Sequence, residues 1–436
     1  MAYPEEFKKV FEENSFFFNP RDENRILYYI FKNPNVPDEK KTNALKAWKL
    51  GNDNQYFEMY KAFSNEIKFI SKIVKFKEKD GEILAYFQNG FVSRFDPKML
   101  ADNPDDAYNL LQSYLLIKIK KSTDSWEICD IMPVEPAKNV DIAKQLLQFA
   151  EAEHTTYSVL LYAFGYDVEK MNADDILVTV PRFFPLFVSP YSKRRYNVIE
   201  ISNPGTGKTS IFTILQEVFN FRYYTEPPTY ANLVYDARNN IYGAVYLSKG
   251  LIFDEIQTWK NSTNQKNMEA VNSTLSTGME NCIWTRGAGT ESKSAVLHSC
   301  LPIVYAGNPY TAVLDKYSAM NVEDYLQQYE IFTPAILDRI HLIHISLKKT
   351  YDQIGSKRVL YPSVLKALVD LLQEKLNQQN HFVDCQNFTS RRHEQSVDIQ
   401  LLLRTLDLQN DEIEKNQDEF CAKLQDYMRF IKLMGD

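Results

Sequence analysis

The sequence predicts an α/β protein in which a parallel β-sheet carries a phosphate-binding loop. From about residue 176 to residue 346, apolar strands alternate with helical stretches, as in a parallel sheet with crossover helices. Residues 202–209 read Ser-Asn-Pro-Gly-Thr-Gly-Lys-Thr and lie between the apolar strand 196–201 and a helical stretch. Residues 250–255 form a second apolar strand that ends in two carboxylates. Together these observations predict a nucleotide site on the sheet.

The length and composition predict a globular protein with two or three domains. The chain has 436 residues, 44% of them hydrophobic and 25% charged, with a net charge of −7. No apolar run approaches the roughly 18 residues that cross a bilayer, and residues 1–6 carry no targeting pattern. We therefore expect a cytoplasmic protein without membrane contact. The acidic balance argues against a uniformly basic nucleic-acid binder but leaves room for local basic surfaces.

The five cysteines show no C-x-x-C spacing and are too few for a disulfide framework. The sequence therefore predicts reduced thiols and no structural zinc. The cysteines are Cys129, Cys282, Cys300, Cys385 and Cys421.

Periodicity divides the chain into four regions. An N-terminal domain, 1–135, begins with helices and continues into short β-branched and aromatic segments typical of antiparallel strands. A helical connector, 136–175, leads to the core, 176–346. The last region, 347–436, reads as helices only and ends in an acidic helix.

The loop itself predicts binding of a nucleoside triphosphate with Mg²⁺. Its glycines let backbone N–H groups surround the β-phosphate, Lys208 adds a positive charge at the β- and γ-phosphates, and the Thr209 hydroxyl is placed to ligate Mg²⁺. Ser202 occupies the first position, where the usual motif has glycine. The predicted nucleotide-binding residues are Asn203, Pro204, Gly205, Thr206, Gly207, Lys208, Thr209 and Ser210.

Two other strand ends supply candidate catalytic groups. Asp254 is predicted to hold the Mg²⁺ shell, and Glu255 to orient and polarise the attacking water. The strand 301–306 is followed by Asn308, whose amide is predicted to contact the γ-phosphate or that water. Because the ends of parallel strands meet at one edge of a sheet, these groups are expected near Lys208.

Two later segments resemble the MCM replicative helicases. Residues 333–343, Thr-Pro-Ala-Ile-Leu-Asp-Arg-Ile-His-Leu-Ile, are similar to the arginine-finger segment of that family, and residues 389–394, Thr-Ser-Arg-Arg-His-Glu, to the start of its sensor-two helix. The resemblance implies that Arg339 reaches the γ-phosphate of a neighbouring subunit and that Arg391 is the sensor-two arginine. Arg392 is the competing choice. A guanidinium suits both roles because it stays charged and its fork matches phosphate oxygens.

A longer resemblance links the chain to the Lon-like AAA+ ATPases of the BREX phage-defence system, the BrxL type. It is carried by residues 157–166, 181–187, 229–235 and 243–256, and with the MCM-like segments it spans about 155–395. It implies a P-loop AAA+ motor with a C-terminal helical lid. BrxL-type proteins usually continue into a protease-like domain, for which we find no place here, so we expect no proteolysis.

The family resemblance also implies a homo-oligomeric ring, by default a hexamer, because each ATP would lie between two chains. Residues 282–298 predict a β-hairpin with a glycine-rich tip, at the position of the MCM pre-sensor-one hairpin. Arg286 and Lys293 near that tip are candidate contacts to a DNA backbone. By analogy with MCM, the β-rich segment 66–132 is a candidate oligonucleotide-binding (OB) barrel. Its candidate contacts are Lys68, Lys72, Lys75, Lys118, Lys120 and Lys121.

The leading hypothesis is a ring-forming ATPase that translocates on or unwinds DNA, in replication or in phage or mobile-element defence, together with partner proteins of those processes. One alternative is a non-proteolytic remodeller that threads polypeptide. The Arg-Gly-Ala-Gly tip at 286–289 lacks the aromatic residue that such pores commonly present. The other alternative is an ATP-gated DNA clamp.

Overall fold

The computed structural model describes fourteen stretches of the chain, and the structural statements below concern these stretches. They are residues 4–19, 38–79, 82–95, 114–122, 125–134, 139–153, 155–236, 241–259, 265–286, 295–309, 322–346, 354–385, 388–409 and 417–432.

The strands are, in chain order, β1 Ser15–Phe17, β2 Glu66–Lys79, β3 Glu82–Phe87, β4 Val92–Arg94, β5 Tyr114–Lys121, β6 Trp126–Pro133, β7 Val198–Ser202, β8 Phe221–Tyr224, β9 Tyr235–Asp236, β10 Ile241–Tyr242, β11 Gly250–Phe253, β12 Ile283–Arg286, β13 Ala295–His298, β14 Ile303–Gly307, β15 Leu342–Ser346, β16 Arg358–Leu360 and β17 Arg429–Lys432.

The α-helices are α1 Glu5–Glu13, α2 Asp38–Asn52, α3 Asn54–Ala62, α4 Val140–Ala152, α5 Thr156–Ala163, α6 Ala173–Thr179, α7 Lys208–Phe219, α8 Tyr230–Leu233, α9 Ala244–Leu247, α10 Gln265–Asn281, α11 Val322–Leu326, α12 Pro334–Leu337, α13 Pro362–Asn377, α14 Ser390–Thr405 and α15 Gln417–Met428. Three 3₁₀ turns cover Val168–Lys170, Val180–Leu186 and Ile256–Thr258.

The predicted parallel sheet is confirmed. Six strands of the described residues lie in the order β17-β15-β7-β14-β11-β8, and every neighbouring pair is parallel. The strand before the phosphate-binding loop, β7, is central and lies between β14 and β15. All side chains of β7, β11 and β14 are buried, as expected for strands covered on both faces.

Alternate residues of each central strand face two different apolar clusters. In β14, Ile303 and Tyr305 join the cluster that contains α10 and α12, whereas Val304 and Ala306 join the cluster that contains α7 and α13. This follows from the two-residue period of a strand. The fully apolar runs in the sequence therefore correspond to a sheet between two helical layers.

A second sheet, in the N-terminal part, is antiparallel in the order β4-β3-β2-β5-β6. Residues 66–72 of the long strand β2 pair with β5, and residues 73–79 pair with β3, with a shift of register between Ile73 and Lys75. The two outer strands approach each other, and Ser93 Oγ donates to the carbonyl of Trp126 at 3.4 Å. The sheet is thus curved into a partly closed barrel around a phenylalanine- and isoleucine-rich core.

The expectation that residues 347–436 contain only helices is wrong. Strand β16 pairs with β1 from the chain's N-terminal part, and β17 adds to the central sheet beside β15. These strands have three and four residues, too few to establish a two-residue period in the sequence. Helix α1 was predicted to belong to the N-terminal domain, 1–135. Its Phe7 and Phe11 instead pack in the apolar cluster of the central sheet.

The prediction of reduced thiols is wrong for four of the five cysteines. Cys282 is bonded to Cys300, Cys385 is bonded to Cys421, and Cys129 is free and exposed. The partners are 18 and 36 residues apart, so their proximity depends on the hairpin β12–β13 and on the packing of α15. Local cysteine spacing carries no such information.

Among the helices of the described stretches, none combines the length and the apolar character needed to cross a membrane.

Candidate nucleotide site and arginine cluster

The phosphate-binding loop connects the end of β7 to the start of α7. Gly205 and Gly207 have φ angles of +83° and +87°, a left-handed conformation that glycine adopts without strain. Gly207 is the residue immediately before α7, and Lys208 is its first residue. The loop therefore ends at a helix N-terminus, whose free N–H groups and dipole favour bound phosphate.

Lys208 is 8% exposed and lies among acceptors from two strand ends. Its Nζ donates to the carbonyl of Ser202 at 2.5 Å and to the Ser202 hydroxyl at 3.1 Å. It also donates to the carbonyl of Gly307 at 3.3 Å and to Asn308 Oδ1 at 3.2 Å. Burial lowers the pKa of Lys208, while the nearby Glu200 carboxylate opposes that shift.

The two carboxylates after β11 are held in different ways. Asp254 is 3% exposed; its Oδ1 accepts from the backbone N–H of Glu255 at 2.8 Å, and its Oδ2 accepts from the Tyr223 hydroxyl at 2.7 Å. Glu255 has a φ of +54°, which is costly for a residue with a Cβ. Its Oε2 accepts from the Asn308 amide at 3.4 Å. The strained turn thus directs Glu255 to the end of β14.

Asn308 connects the lysine to the second carboxylate. Its Oδ1 accepts from Lys208 and its Nδ2 donates to Glu255. Gln257 completes the arrangement, because its Oε1 accepts from the Asn308 N–H at 2.9 Å while its Nε2 donates to Glu255. The sequence prediction missed Gln257; its position two residues after the acidic pair is the only signal the sequence offers.

Asp254 and Thr209 fit the nucleotide-bound Mg²⁺ that the sequence predicts. Mg²⁺ prefers hard oxygen ligands and is usually held by one or two carboxylates together with substrate phosphates. Asp254 supplies one buried carboxylate, and Thr209, exposed in the first turn of α7, supplies a hydroxyl. When bound, the ion would neutralise charge on the phosphates.

A buried ion pair between Arg182 and Glu200 holds the phosphate-binding loop in position. The sequence did not predict this pair. Arg182 Nε donates to Glu200 Oε2 at 2.9 Å, and its Nη2 donates to the other carboxylate oxygen. Arg182 Nη1 donates to the Thr206 carbonyl in the loop at 2.7 Å and to the Tyr166 hydroxyl at 2.6 Å. Burial opposes ionisation of Glu200, but the charge of Arg182 holds the pKa of Glu200 below its usual range.

The serine in place of the usual glycine joins this ion pair to the lysine. The Ser202 hydroxyl donates to Glu200 Oε1 at 2.9 Å and lies 2.9 Å from the Thr206 hydroxyl. It also accepts from Lys208. Ser202 therefore links the Glu200 carboxylate to Lys208, which a glycine at this position cannot do.

The two predicted arginines lie together, away from Lys208. Arg339 Nη2 and Arg391 Nη2 each contact one oxygen of Glu280, and the Arg391 contact is 2.5 Å long. Arg391 also pairs with Asp338. Arg392 donates to Gln395 of its own helix at 3.1 Å, and the sensor-two role of Arg391 stays a prediction.

This arginine cluster, Arg339 and Arg391 with Glu280, lies at the opposite edge of the sheet from the loop. Asn197, directly before β7, donates from Nδ2 to the carbonyl of Arg339 at 3.2 Å. Arg339 precedes β15, whereas Lys208 follows β7, and these strands are parallel. The five residues of β7 span about 16 Å, which exceeds the length of an arginine side chain.

The predicted hairpin is present in its two arms. β12 and β13 pair antiparallel from Ile283 with His298 to Arg286 with Ala295. Arg286 ends β12, whereas Lys293 and the glycine-rich tip lie outside the described residues.

Comparison with known proteins identifies the family. Residues 126–349 match the ATPase domain described as Lon-like protease BrxL-like. The chain belongs to the BrxL-like ATPase family. The matched BrxL-like domain includes the loop, both acidic residues, Asn308 and Arg339, and it ends before Arg391. The family assignment supports use of ATP, while the roles of the individual residues stay predictions.

The relatives of this BrxL-like ATPase include proteins of archaeal viruses. The chain is 59% identical over 429 residues to uncharacterized protein 440 of Sulfolobus islandicus rod-shaped virus 1, covering 98% of this chain and 97% of that protein. It is 31% identical over 415 residues to uncharacterized protein ORF426 of Acidianus filamentous virus 1, covering 91% and 94%. A match of 26% identity to ORF425 of Acidianus filamentous virus 2 covers 54% and 58%.

The Ser202 hydroxyl gives a first prediction. Ser202→Ala removes one acceptor from Lys208 and one donor from Glu200, and we expect nucleotide affinity to fall about fivefold to tenfold, the effect of one lost hydrogen bond of about 1 kcal/mol. Titration with a fluorescent ATP analogue measures this. Ser276→Ala is the control, since it removes a hydroxyl that donates only to its own helix, to Asn272 O. Equal affinities for the two variants would contradict the role given to Ser202.

His344 gives a prediction about acid stability. It pairs in register with Glu200 in β7, and burial lowers its pKa from 6.5 to about 4, while Glu200 opposes the shift and Arg182 adds to it. The unfolded chain therefore binds a proton at higher pH than the folded chain. We expect the free energy of unfolding to fall by about 2 kcal/mol between pH 7 and pH 5 through this group.

Urea unfolding at both pH values checks the His344 prediction. His344→Asn keeps a polar side chain that does not titrate in this range, so its stability is expected to change less between pH 7 and pH 5. An unchanged pH dependence in the variant would assign the acid sensitivity to other groups.

Proposed function

We propose that the chain is an ATP hydrolase that assembles into a ring, hexameric by default, and moves along DNA. The family supports the ATPase activity. We infer the assembly into a ring and the choice of DNA as partner from the positions of the charged residues. The helices α13 to α15, which follow the central sheet in the chain, are proposed as the AAA+ lid.

The observation that carries the proposal is the separation of two half-sites. Lys208, Asp254 and Asn308 lie at the edge where the parallel strands end, and Arg339 lies at the edge where they begin. A single chain cannot bring its own arginine pair to its own nucleotide. A second copy that presents Arg339 and Arg391 to the first copy's loop completes the site, and repetition of this head-to-tail contact closes a ring.

The residues of the two copies then have separate tasks. Lys208 holds the β- and γ-phosphates, and Glu255 orients the water that attacks the γ-phosphate. Asn308, which is hydrogen-bonded to both side chains, fixes their relative positions. Arg339 and Arg391 of the neighbouring copy stabilise the negative charge that develops on the transferred phosphoryl group.

The N-terminal sheet supports DNA as the partner. Its strand order, its long shared strand β2 and its nearly closed edges support our proposal of a five-stranded OB barrel. On its outer face, Lys68 lies directly opposite Lys118, a like-charge pair that destabilises a sheet unless an anion compensates. Glu66 compensates Lys118 at 2.9 Å, and a phosphate backbone would compensate Lys68.

Lysine and aromatic side chains are also paired on this sheet. Lys72 Nζ lies 4.2 Å from the ring centre of Tyr114, and Lys75 Nζ lies 4.3 Å from that of Tyr86. Proteins that bind single strands without reading sequence combine basic grooves with aromatic stacking surfaces. This arrangement favours a nucleic acid over a polypeptide as the translocated chain.

Mixing two inactive variants tests the shared site. Lys208→Ala removes the phosphate-binding lysine, and Arg339→Ala removes the finger. In a one-to-one mixed ring, about a quarter of the interfaces combine an intact loop with an intact finger, so we expect ATPase activity to return to about that fraction of the wild-type rate. The matched control mixes Lys208→Ala with the double variant Lys208→Ala/Arg339→Ala, which contains no intact interface and must stay inactive. No recovery in the first mixture, or an active Arg339→Ala protein alone, would rule out the shared site.

DNA binding is tested separately from assembly. We expect DNA to stimulate ATP hydrolysis, and Lys68→Ala to weaken DNA binding and to lower the slope of log affinity against log salt by about one unit. Lys423→Ala, which removes an exposed lysine of α15, is the control. Absence of both DNA binding and stimulation at low salt would exclude DNA as the partner and leave a protein remodeller.

A further inference from the structure

Glu280 occupies the position between the two arginines. It lies in the last turn of α10, and its two carboxylate oxygens face Arg339 and Arg391 separately. A carboxylate that spans two guanidinium groups resembles the way a phosphate is held by a pair of arginines. Within the described stretches, Glu280 is thus the carboxylate that both arginines share, and Asp338 is a second carboxylate that pairs with Arg391.

The charge of Glu280 is set by its neighbours. Partial burial opposes its ionisation, but the charges of Arg339, Arg391 and Arg194 hold the pKa of Glu280 below its usual range. The carboxylate is therefore negative at neutral pH and neutralises part of the cluster's positive charge.

The cluster borders a small cavity. Arg194, Arg339 and Arg391 line it together with the neutral side chains Ser192 and Met279. Two carboxylates also line it: Glu394, which lies 3.6 Å from Arg194, and the buried Asp398, whose Oδ2 lies 3.4 Å from His341 Nε2. The arginine groups at Glu280 are 18% and 28% exposed, so a phosphate arriving from outside can reach them.

The end of α10 is firmly connected to the hairpin β12–β13. Trp284, in β12, is fully buried and packs so closely on Gly278 that a Cβ there would lie 2.4 Å from the indole ring. The indole N–H donates to the carbonyl of Ser299 at 2.7 Å, and Cys282 is bonded to Cys300 across the base of the hairpin. A displacement of the α10 backbone at Glu280 would therefore be transmitted to the hairpin.

We propose that Glu280 is a resident counter-ion that the γ-phosphate of ATP on a neighbouring copy displaces, so that nucleotide binding in one subunit repositions the hairpin of the next. This proposal rests on the shared site described above. It adds that the arginines are occupied before the neighbour arrives, and that ATP must compete with Glu280 for them. ATP-driven assembly then requires more nucleotide than it would without Glu280.

The test measures the ATP concentration at which half of the chains assemble, by sedimentation velocity, in a Glu255→Gln background that slows hydrolysis. We expect Glu280→Gln to lower that concentration about fivefold to tenfold, since a coupling between two sites typically changes affinity by at least this factor. Glu374→Gln is the matched control, because it removes the same charge from an exposed position on α13 and is expected to leave assembly unchanged. Thermal melts of both variants confirm that they fold.

A double-variant cycle isolates the contact. In an Arg339→Ala/Arg391→Ala background, Glu280→Gln is expected to lose its effect, since the groups that Glu280 neutralises are absent. The proposal is overturned if Glu280→Gln behaves as Glu374→Gln does, or if its effect persists without the arginines. If the mixture of Lys208→Ala and Arg339→Ala proteins regains no ATPase activity, the shared site is overturned as well. If the mixture regains activity but Glu280→Gln has no effect on assembly, only the role of Glu280 as counter-ion is overturned.

Discussion

The common direction of the six central strands determines where the charged residues of the candidate nucleotide site and Arg339 lie. Residues that follow strands meet at one edge, which brings Lys208, Asp254, Glu255 and Asn308 together although they come from three different strands. Residues that precede strands meet at the other edge, as Arg339 does. Since the five residues of β7 span more than the length of an arginine side chain, strand direction divides the proposed catalytic apparatus into two halves, which we propose are supplied by different copies.

The buried pair of Arg182 and Glu200 makes the first of these halves rigid. Both side chains are less than 10% exposed, and removal of one partner from such a pair typically costs about 3–5 kcal/mol. The pair holds the loop through the Thr206 carbonyl and the lysine through Ser202. The phosphate-binding loop is thus formed by its glycines but positioned by two charged residues outside the motif.

The sequence predicted the parallel sheet, the loop and the acidic strand end because each of these depends on neighbouring residues. It did not predict the contacts that join them. Arg182 lies 24 residues from the loop carbonyl it supports, and Arg391 lies 111 residues from Glu280. Such contacts arise from tertiary packing, for which one sequence contains no local pattern. The disulfides were missed for the same reason, and β16 and β17 because a few residues do not establish a period.

The bond between Cys385 and Cys421 has a consequence for handling the protein. It joins the segment before α14, which carries Arg391, to α15, which continues into β17 beside β15. β15 in turn begins shortly after the segment that carries Arg339. The disulfide bond and the pairing of β17 with β15 therefore form a connection between the segments that carry the two arginines. Reduction of this buried bond would remove the covalent part of this connection, which lies apart from the phosphate-binding loop. Oxidised and reduced preparations are therefore different samples, and the redox state belongs among the controlled variables of any activity measurement.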